Sequence, residues 1–274
     1  MAKMLSEGTQ IRELGENPHL VTVIIEGNER ARKVLEDRSY GGKRLFCLAK
    51  YSMITLLFRK PFFRRNKRQF TIENNPPLGE TEAFLHSVHS KQAFGARFDA
   101  PFFELRRRLK IWENFSMSDF YVARDGTNPD QRGKIIASAA LWNPNHCKQT
   151  VVLGPWWTTP YNWIARALNL PEFGKPIEIV YLTHLSFSWD LTQEQKLQAF
   201  KDIVSAVSPE IKKRKAHGLA FCDFKEFSLA PAVDDYLISK VPVKMYQVIP
   251  ESEIESFDRT TLGSFPPAFE MALV

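Results

Sequence analysis

Residues 176–207 read PIEIVYLTHLSFSWDLTQEQKLQAFKDIVSAV, and they place a buried strand directly before an amphipathic helix. Ile177, Ile179, Tyr181, Leu185 and Phe187 share one face of a strand of period two, while Val180, Leu182 and Ser186 leave the other face largely apolar, as an interior strand covered on both sides requires. Thr192 followed by Gln195 fits a capping box, and Leu197, Phe200, Val204, Val207 and Ile211 then recur at helical spacing. The junction at residues 186–193 therefore lies at the carboxyl end of a strand, where open α/β sheets bind their ligands.

Downstream, residues 219–224 (LAFCDF) form a strand, residues 232–240 a helix and residues 244–249 a final strand. Ser208-Pro209 is expected to kink or restart the long helix before Gly218 ends it. The tail from Pro250 is acidic, then Pro-rich, and reads as irregular. Upstream, residues 120–124 (FYVAR) and 134–142 (KIIASAALW) are strands joined by a polar loop whose Gly, Asn-Pro and Asp make a hairpin turn. A short strand at 69–73 and helices at 80–92 and 100–112 precede them. Between residues 143 and 174 lies an insertion carrying Trp156, Trp157 and Trp163 and one short helix at 161–168; tryptophans this dense read as paving of a core edge.

The first 60 residues give a strand (19–26), a helix capped by Asn28 and a hairpin of residues 44–49 and 52–58. So small a piece buries little core of its own, so it is expected to pack on the rest of the chain or to exchange with a partner chain as a homodimer. The basic run RKPFFRRNKR at residues 59–68 reads as a solvated linker, with a nucleic-acid patch as the alternative. The division expected is 1–66, a fragment and linker; 67–252, the main domain; and 253–274, an irregular tail.

A net charge of +6 with a pI near 9.2 admits phosphate-bearing partners without selecting among them. Cys47, Cys147 and Cys222 are far apart and odd in number, which suits free thiols in a reducing compartment. With no signal-peptide pattern and no uninterrupted apolar run of membrane-spanning length, a cytoplasmic protein without a membrane span is expected. His86 and His89 share a helix face but make no metal site by themselves, and no Gly-rich nucleotide loop or nucleophile elbow occurs.

The strings FYVARDG, KIIASAALWNP, VYLTHLSFS with its helix, and LAFCDF resemble the second to fifth strands of the GCN5-related N-acetyltransferase (GNAT) superfamily. Asn28-x-x-Ala31 after LVTVII resembles that family's fifth strand and fourth helix, so the chain resembles the end of one GNAT unit followed by a complete second one, as in tandem GNAT proteins. The fold implied is α/β (α+β), with a mixed, mostly antiparallel sheet flanked by helices. In that family the fourth and fifth strands splay apart and acyl-CoA lies between them, its pyrophosphate on the N-terminus of the following helix. Carried over, the resemblance implies cofactor contacts at Leu185, Ser186 and Phe187 and at Thr192, Gln193 and Gln195. This sequence departs from the family's glycine-bearing turn: residues 190–198 contain no glycine, and they put Asp190 and Glu194 where an anion should sit.

Acyl transfer to an amine needs a base to deprotonate the acceptor and an acid to protonate the leaving thiolate. The spacing of Ala232 and Tyr236 resembles the motif that positions the family's tyrosine acid, with core packing as the alternative. His184 and Glu178 are the nearest base candidates. Three readings of function stay open: an acyl-CoA-dependent N-acyltransferase, with acetyl-CoA or another acyl-CoA as co-substrate and a small-molecule or protein amine as acceptor; a catalytically silent GNAT-like binding module; and an aminoacyl-tRNA-dependent transferase using the basic linker.

Overall fold

A computed structural model describes residues 20–36, 43–57, 68–92, 95, 115–126, 132–145, 150–151, 153–154, 158–168 and 170–250. The expected helix at 100–112, the linker at 59–67, Cys147 and the tail at 253–274 lie outside the described residues. In chain order the elements are β1 (Leu20–Ile25), α1 (Glu29–Glu36), β2 (Lys43–Leu57), β3 (Thr71–Asn74), α2 (Leu78–His89), β4 (Phe120–Asp125), β5 (Lys134–Trp142), β6 (Thr150–Val151), α3 (Thr159–Leu168), β7 (Pro176–Ile177), β8 (Ile179–Phe187), α4 (Gln193–Lys213), β9 (Gly218–Phe224) and β10 (Leu237–Pro250).

Eight strands form one sheet in the order β1-β10-β2-β9-β8-β5-β4-β3, antiparallel throughout except for the parallel pair β8 and β9. This is the mixed, mostly antiparallel α+β architecture the resemblance implies. Strands from both sides of residue 66 share the sheet: β2 lies between β9 and β10, and β10 lies between β1 and β2. Each pair of strands, β1 with β2 and β9 with β10, thus lends its second strand to the other pair's first strand.

α4 covers one face. Its Phe200, Ile203, Val204, Val207 and Ile211 are fully buried against Ile54, Leu56, Val180, Leu182, Leu219 and Phe221. Each such side chain contributes roughly 1.5–3 kcal/mol of burial. The opposite face takes α2, whose Phe84, Leu85 and Val88 pack on Phe120, Val122, Ile135, Trp142 and Tyr181. The helix runs unbroken through Pro209. Ser208 donates its hydroxyl to the Val204 carbonyl at 2.6 Å, one of the adjustments that accompany proline inside a helix.

Three sequence expectations are corrected. The hairpin expected at 44–58 is a single strand of 15 residues; it contains no Gly, Pro, Asn or Asp, and β10 pairs along it from Lys43 to Leu57. The helix expected at 232–240 is replaced by two 3-10 turns, residues 225–227 and 230–233, and by β10, which begins at Leu237 rather than near Lys244. Pro231 sits in the second turn, and the buried Asp223 carboxylate holds the segment by accepting from Ser228 Oγ at 3.0 Å and the Leu229 amide at 2.6 Å. Trp163 is 74% exposed instead of paving the core, while Trp156 and Trp157 lie outside the described residues.

Candidate active site between two parting strands

The β8–β9 ladder consists of Ile179↔Gly218, Val180↔Leu219 and Tyr181↔Ala220, and there it ends. Beyond it β8 continues to Phe187 with β5 on one side, and β9 continues to Phe224 with β2 on one side. The facing edges of the two strands, from Leu182 and from Phe221 onward, therefore part and leave backbone groups directed into a cleft.

A bulge in β8 shapes this stretch. The register against β5 shifts between Ser138↔Ser186 and Ala140↔Thr183, and His184 takes φ +52°, so two residues oppose one. The extra residue inverts the alternation. Ile179 and Tyr181 face α2, whereas Leu185 and Phe187 join Val180 and Leu182 on the α4 side. Ser186 moves to the α2 side, where its Oγ lies 3.1 Å from His89 Nε2. The single apolar face read from the sequence is thus split at His184.

The mouth of the cleft lies at the start of α4. Thr192 and Gln195 form the expected capping box, with Gln195 N donating to Thr192 Oγ1 at 3.3 Å and Thr192 N to Gln195 Oε1 at 2.9 Å. Gln193 Nε2 donates to the Ser228 carbonyl at 2.9 Å, a bond that crosses from the β8 side to the β9 side. The Lys196 amine stands 5.8 Å from the Trp189 ring centre and 5.1 Å from that of Phe227; burial lowers its pKa. Among the described residues the cation nearest Asp190 is Lys134, whose Nζ lies 3.9 Å from Asp190 Oδ2, and sequence spacing singled out neither of the two lysines near the mouth.

The expected acid–base residues do not converge. His184 is 2% exposed, its ring stacked on Phe115 at 5.6 Å and 5.0 Å from Phe120, with Nδ1 3.0 Å from Thr183 Oγ1. Glu178 precedes β8 at the closed end of the cleft, where its amide meets His217 Nδ1 at 3.0 Å and its carbonyl accepts from His217 N at 2.7 Å. Tyr236 comes just before Leu237, which is level with Leu57 and hence with Gly218. It too lies at the closed end. Burial raises its pKa, a hydrogen bond with Ser208 of α4 opposes that, and Asp235 adds to the rise.

Two other tyrosines stand where the strands part. Tyr181 ends the β8–β9 ladder, and Tyr51 lies on β2 opposite Phe224; both are 7% exposed and flank Cys222. Burial first, and then the nearby Cys222, push both phenols above their ordinary pKa, so both stay protonated. In the sequence Tyr181 is indistinguishable from its apolar neighbours. Its position at the end of the parallel pairing is what singles it out.

No protein-family model matches the chain, and no curated protein does. Among solved structures it is similar to Saccharomyces cerevisiae N-myristoyltransferase with bound myristoyl-CoA (9% identity, TM-score 0.47, 89% of this chain and 57% of that one). It is also similar to a GCN5-related N-acetyltransferase from Sphaerobacter thermophilus (10%, 0.47, 89% and 65%) and to one from Kribbella flavida (10%, 0.43, 93% and 76%). The chain spans little more than half the length of the yeast enzyme.

Proposed function

We propose that the chain is an acyl-CoA-dependent N-acyltransferase whose acyl donor enters between β8 and β9. The observation that carries this reading is the parting of the two parallel strands after Tyr181↔Ala220, with a 21-residue helix beginning at the mouth. Leu185, Ser186 and Phe187, which lie on β8 beyond the end of its ladder with β9, suit an extended amide-bearing arm. The Gln193 and Glu194 amides that open α4 and the Lys196 ammonium suit a pyrophosphate without a glycine-rich turn. In the reaction the acceptor amine attacks the thioester carbonyl, the C–N bond forms and the C–S bond breaks. The departing thiolate takes a proton, and the amine loses one.

Tyr181 is the better-placed acid, because it stands at the fork and is held protonated, whereas Tyr236 lies at the closed end against Ser208. Of the two base candidates His184 lies within the parted stretch and Glu178 outside it. The acceptor is an amine of a small molecule or a protein. A homodimer through the N-terminal segment would pair at β1, an edge strand with Val21 and Ile25 exposed. Calorimetric titration with acetyl-CoA and longer acyl-CoAs tests the function: micromolar binding supports it, and silence with every chain length sinks it.

One observation favours a second reading, a silent module that keeps the fold without the chemistry. The Gln193–Ser228 bond closes the mouth from side chain to backbone, and the turn before α4 offers no glycine. Under that reading no acyl-CoA binds even when the bond is removed.

A further inference from the structure

The insertion between β5 and β8 leaves the sheet at the amino end of β8, away from the mouth of the cleft. It forms a small lobe of β6, β7 and α3. Six of the eleven large apolar side chains that are exposed among the described residues belong to it: Val151 (42%), Leu153 (86%), Tyr161 (40%), Trp163 (74%), Ile164 (59%) and Leu168 (38%). Tyr161, Ile164 and Leu168 follow the i, i+3, i+7 stripe of one helix face. Leu153, 86% exposed, precedes Gly154, which lies against the Phe173 ring, and Phe173 packs on Tyr161 at 4.8 Å between centres.

The described residues around α3 are held by hydrogen bonds. Asn162 grips Phe173 with both ends of its amide, accepting from Phe173 N at 2.9 Å and donating to its carbonyl at 3.2 Å. The Leu170 amide donates to the Ala165 carbonyl at 2.7 Å, and Ala165 is fully buried. Asn162 and Ala165 thus mark the inner side of α3, while Trp163 and Ile164 remain 74% and 59% exposed.

Charge selects the occupant. Residues 143–175 contain Lys148, Arg166 and Lys175 but a single acid, Glu172. Arg166 and Lys175 both hold that carboxylate at 3.0 Å, so nothing anionic is left on the lobe, and the whole chain carries +6. Aromatic and aliphatic side chains on an acid-free helix, in a stretch of net charge +2 (three cations against one acid), are what an anionic bilayer surface accepts: the rings settle at headgroup depth, and the positive charge adds long-range attraction. α3 has 10 residues, and no described helix is long and apolar enough to cross a membrane; it suits lying in the interface. We propose that this lobe is a peripheral docking surface for anionic lipid bilayers, with Trp163, Ile164 and Leu153 as the inserted side chains.

The proposal is independent of acyl transfer and is tested without it. The full chain is floated with vesicles of phosphatidylcholine alone and of phosphatidylcholine with phosphatidylserine. The expected result is flotation with the serine-containing vesicles, weakened at least tenfold by Trp163→Glu with Ile164→Glu and also by Leu153→Glu alone. Leu78→Glu, at an exposed apolar position on α2, leaves flotation unchanged, and thermal melts check that each variant is folded. Failure of the wild type to float with either vesicle overturns the proposal, as does flotation that the lobe variants leave intact. Concentration-dependent self-association that the lobe variants abolish, without vesicle binding, also overturns it and assigns the patch to a protein interface.

Discussion

His89 Nε2 lies 3.1 Å from Ser186 Oγ, joining the last turn of α2 to β8 just beyond its bulge. Burial lowers the His89 pKa from 6.5 to about 4, since the imidazolium loses its hydration there. The folded pKa lies below the unfolded one, so the unfolded chain takes up this proton first as the pH falls. The stability involved is fully present above pH 6.5 and is lost on acidification toward pH 4, by up to about 3 kcal/mol. His89→Gln keeps a partner for Ser186 and removes the titration. Urea melts at pH 7 and pH 4.5 should therefore differ less for the variant than for the wild type; an unchanged difference refutes the assignment.

Asp202 is fully buried on α4, and one of its oxygens accepts from the Gln69 and Phe70 amides at 2.9 Å each, while the other accepts from Gln198 at 2.8 Å. It fixes where the chain enters β3. Asp202→Ala leaves two amides without their acceptor and should cost about 3 kcal/mol. Asp202→Asn keeps one acceptor oxygen and should cost less. Equal denaturation midpoints for the two variants would contradict this account.

Tyr181→Phe should lower kcat at least tenfold with little change in KM, because the fork loses its proton donor. Tyr236→Phe should instead lose the hydrogen bond with Ser208 and about 1 kcal/mol of stability while turnover persists. Steady-state kinetics on the two variants decide between them, and the reverse outcome restores Tyr236 as the acid.

Gln193→Ala removes the bond across the mouth and leaves the Thr192 cap in place. Acyl-CoA affinity should rise several-fold in calorimetry. If neither the wild type nor the variant binds any acyl-CoA, the silent-module reading stands.

Ile54 is fully buried in β2, opposite Phe221 on one side and Lys240 on the other. Ile54→Ala should cost about 2–5 kcal/mol. Deleting residues 1–57 removes the strand between β9 and β10 and should give no soluble, cooperatively melting monomer. Recovery of such a monomer would show that the rest of the sheet closes without β2.

The elements legible in the sequence were those with a clean period: the β4–β5 hairpin, the interior strand β8 and the capped α4. Three features escaped because a neighbour decided them. β2 is continuous because β10, a partner nearly 200 residues away in sequence, pairs along it from Lys43 to Leu57. The faces of β8 exchange at His184 because one inserted residue inverts a period of two. The segment after β9 stays in short turns because Asp223 captures Ser228 and Leu229. The cleft was readable as a place, at the carboxyl end of β8, but Tyr181, Lys196 and the Gln193–Ser228 bond became visible only once β9 and its following turns were set beside it.

The interleaving of β1 and β2 with β9 and β10 bears on how the chain is made. β2 leaves the ribosome well before either strand that flanks it, and at 5–20 residues per second the stretch from Leu57 to Gly218 takes roughly 10–30 s to synthesise. For that interval LFCLA and YSMITLL are exposed apolar segments without a ladder, and the sheet closes only when β10, the last described strand, slides between β1 and β2. Nascent chains stalled before residue 237 should accordingly remain protease-sensitive in their first 57 residues and engage chaperones, whatever the state of the segment made after them.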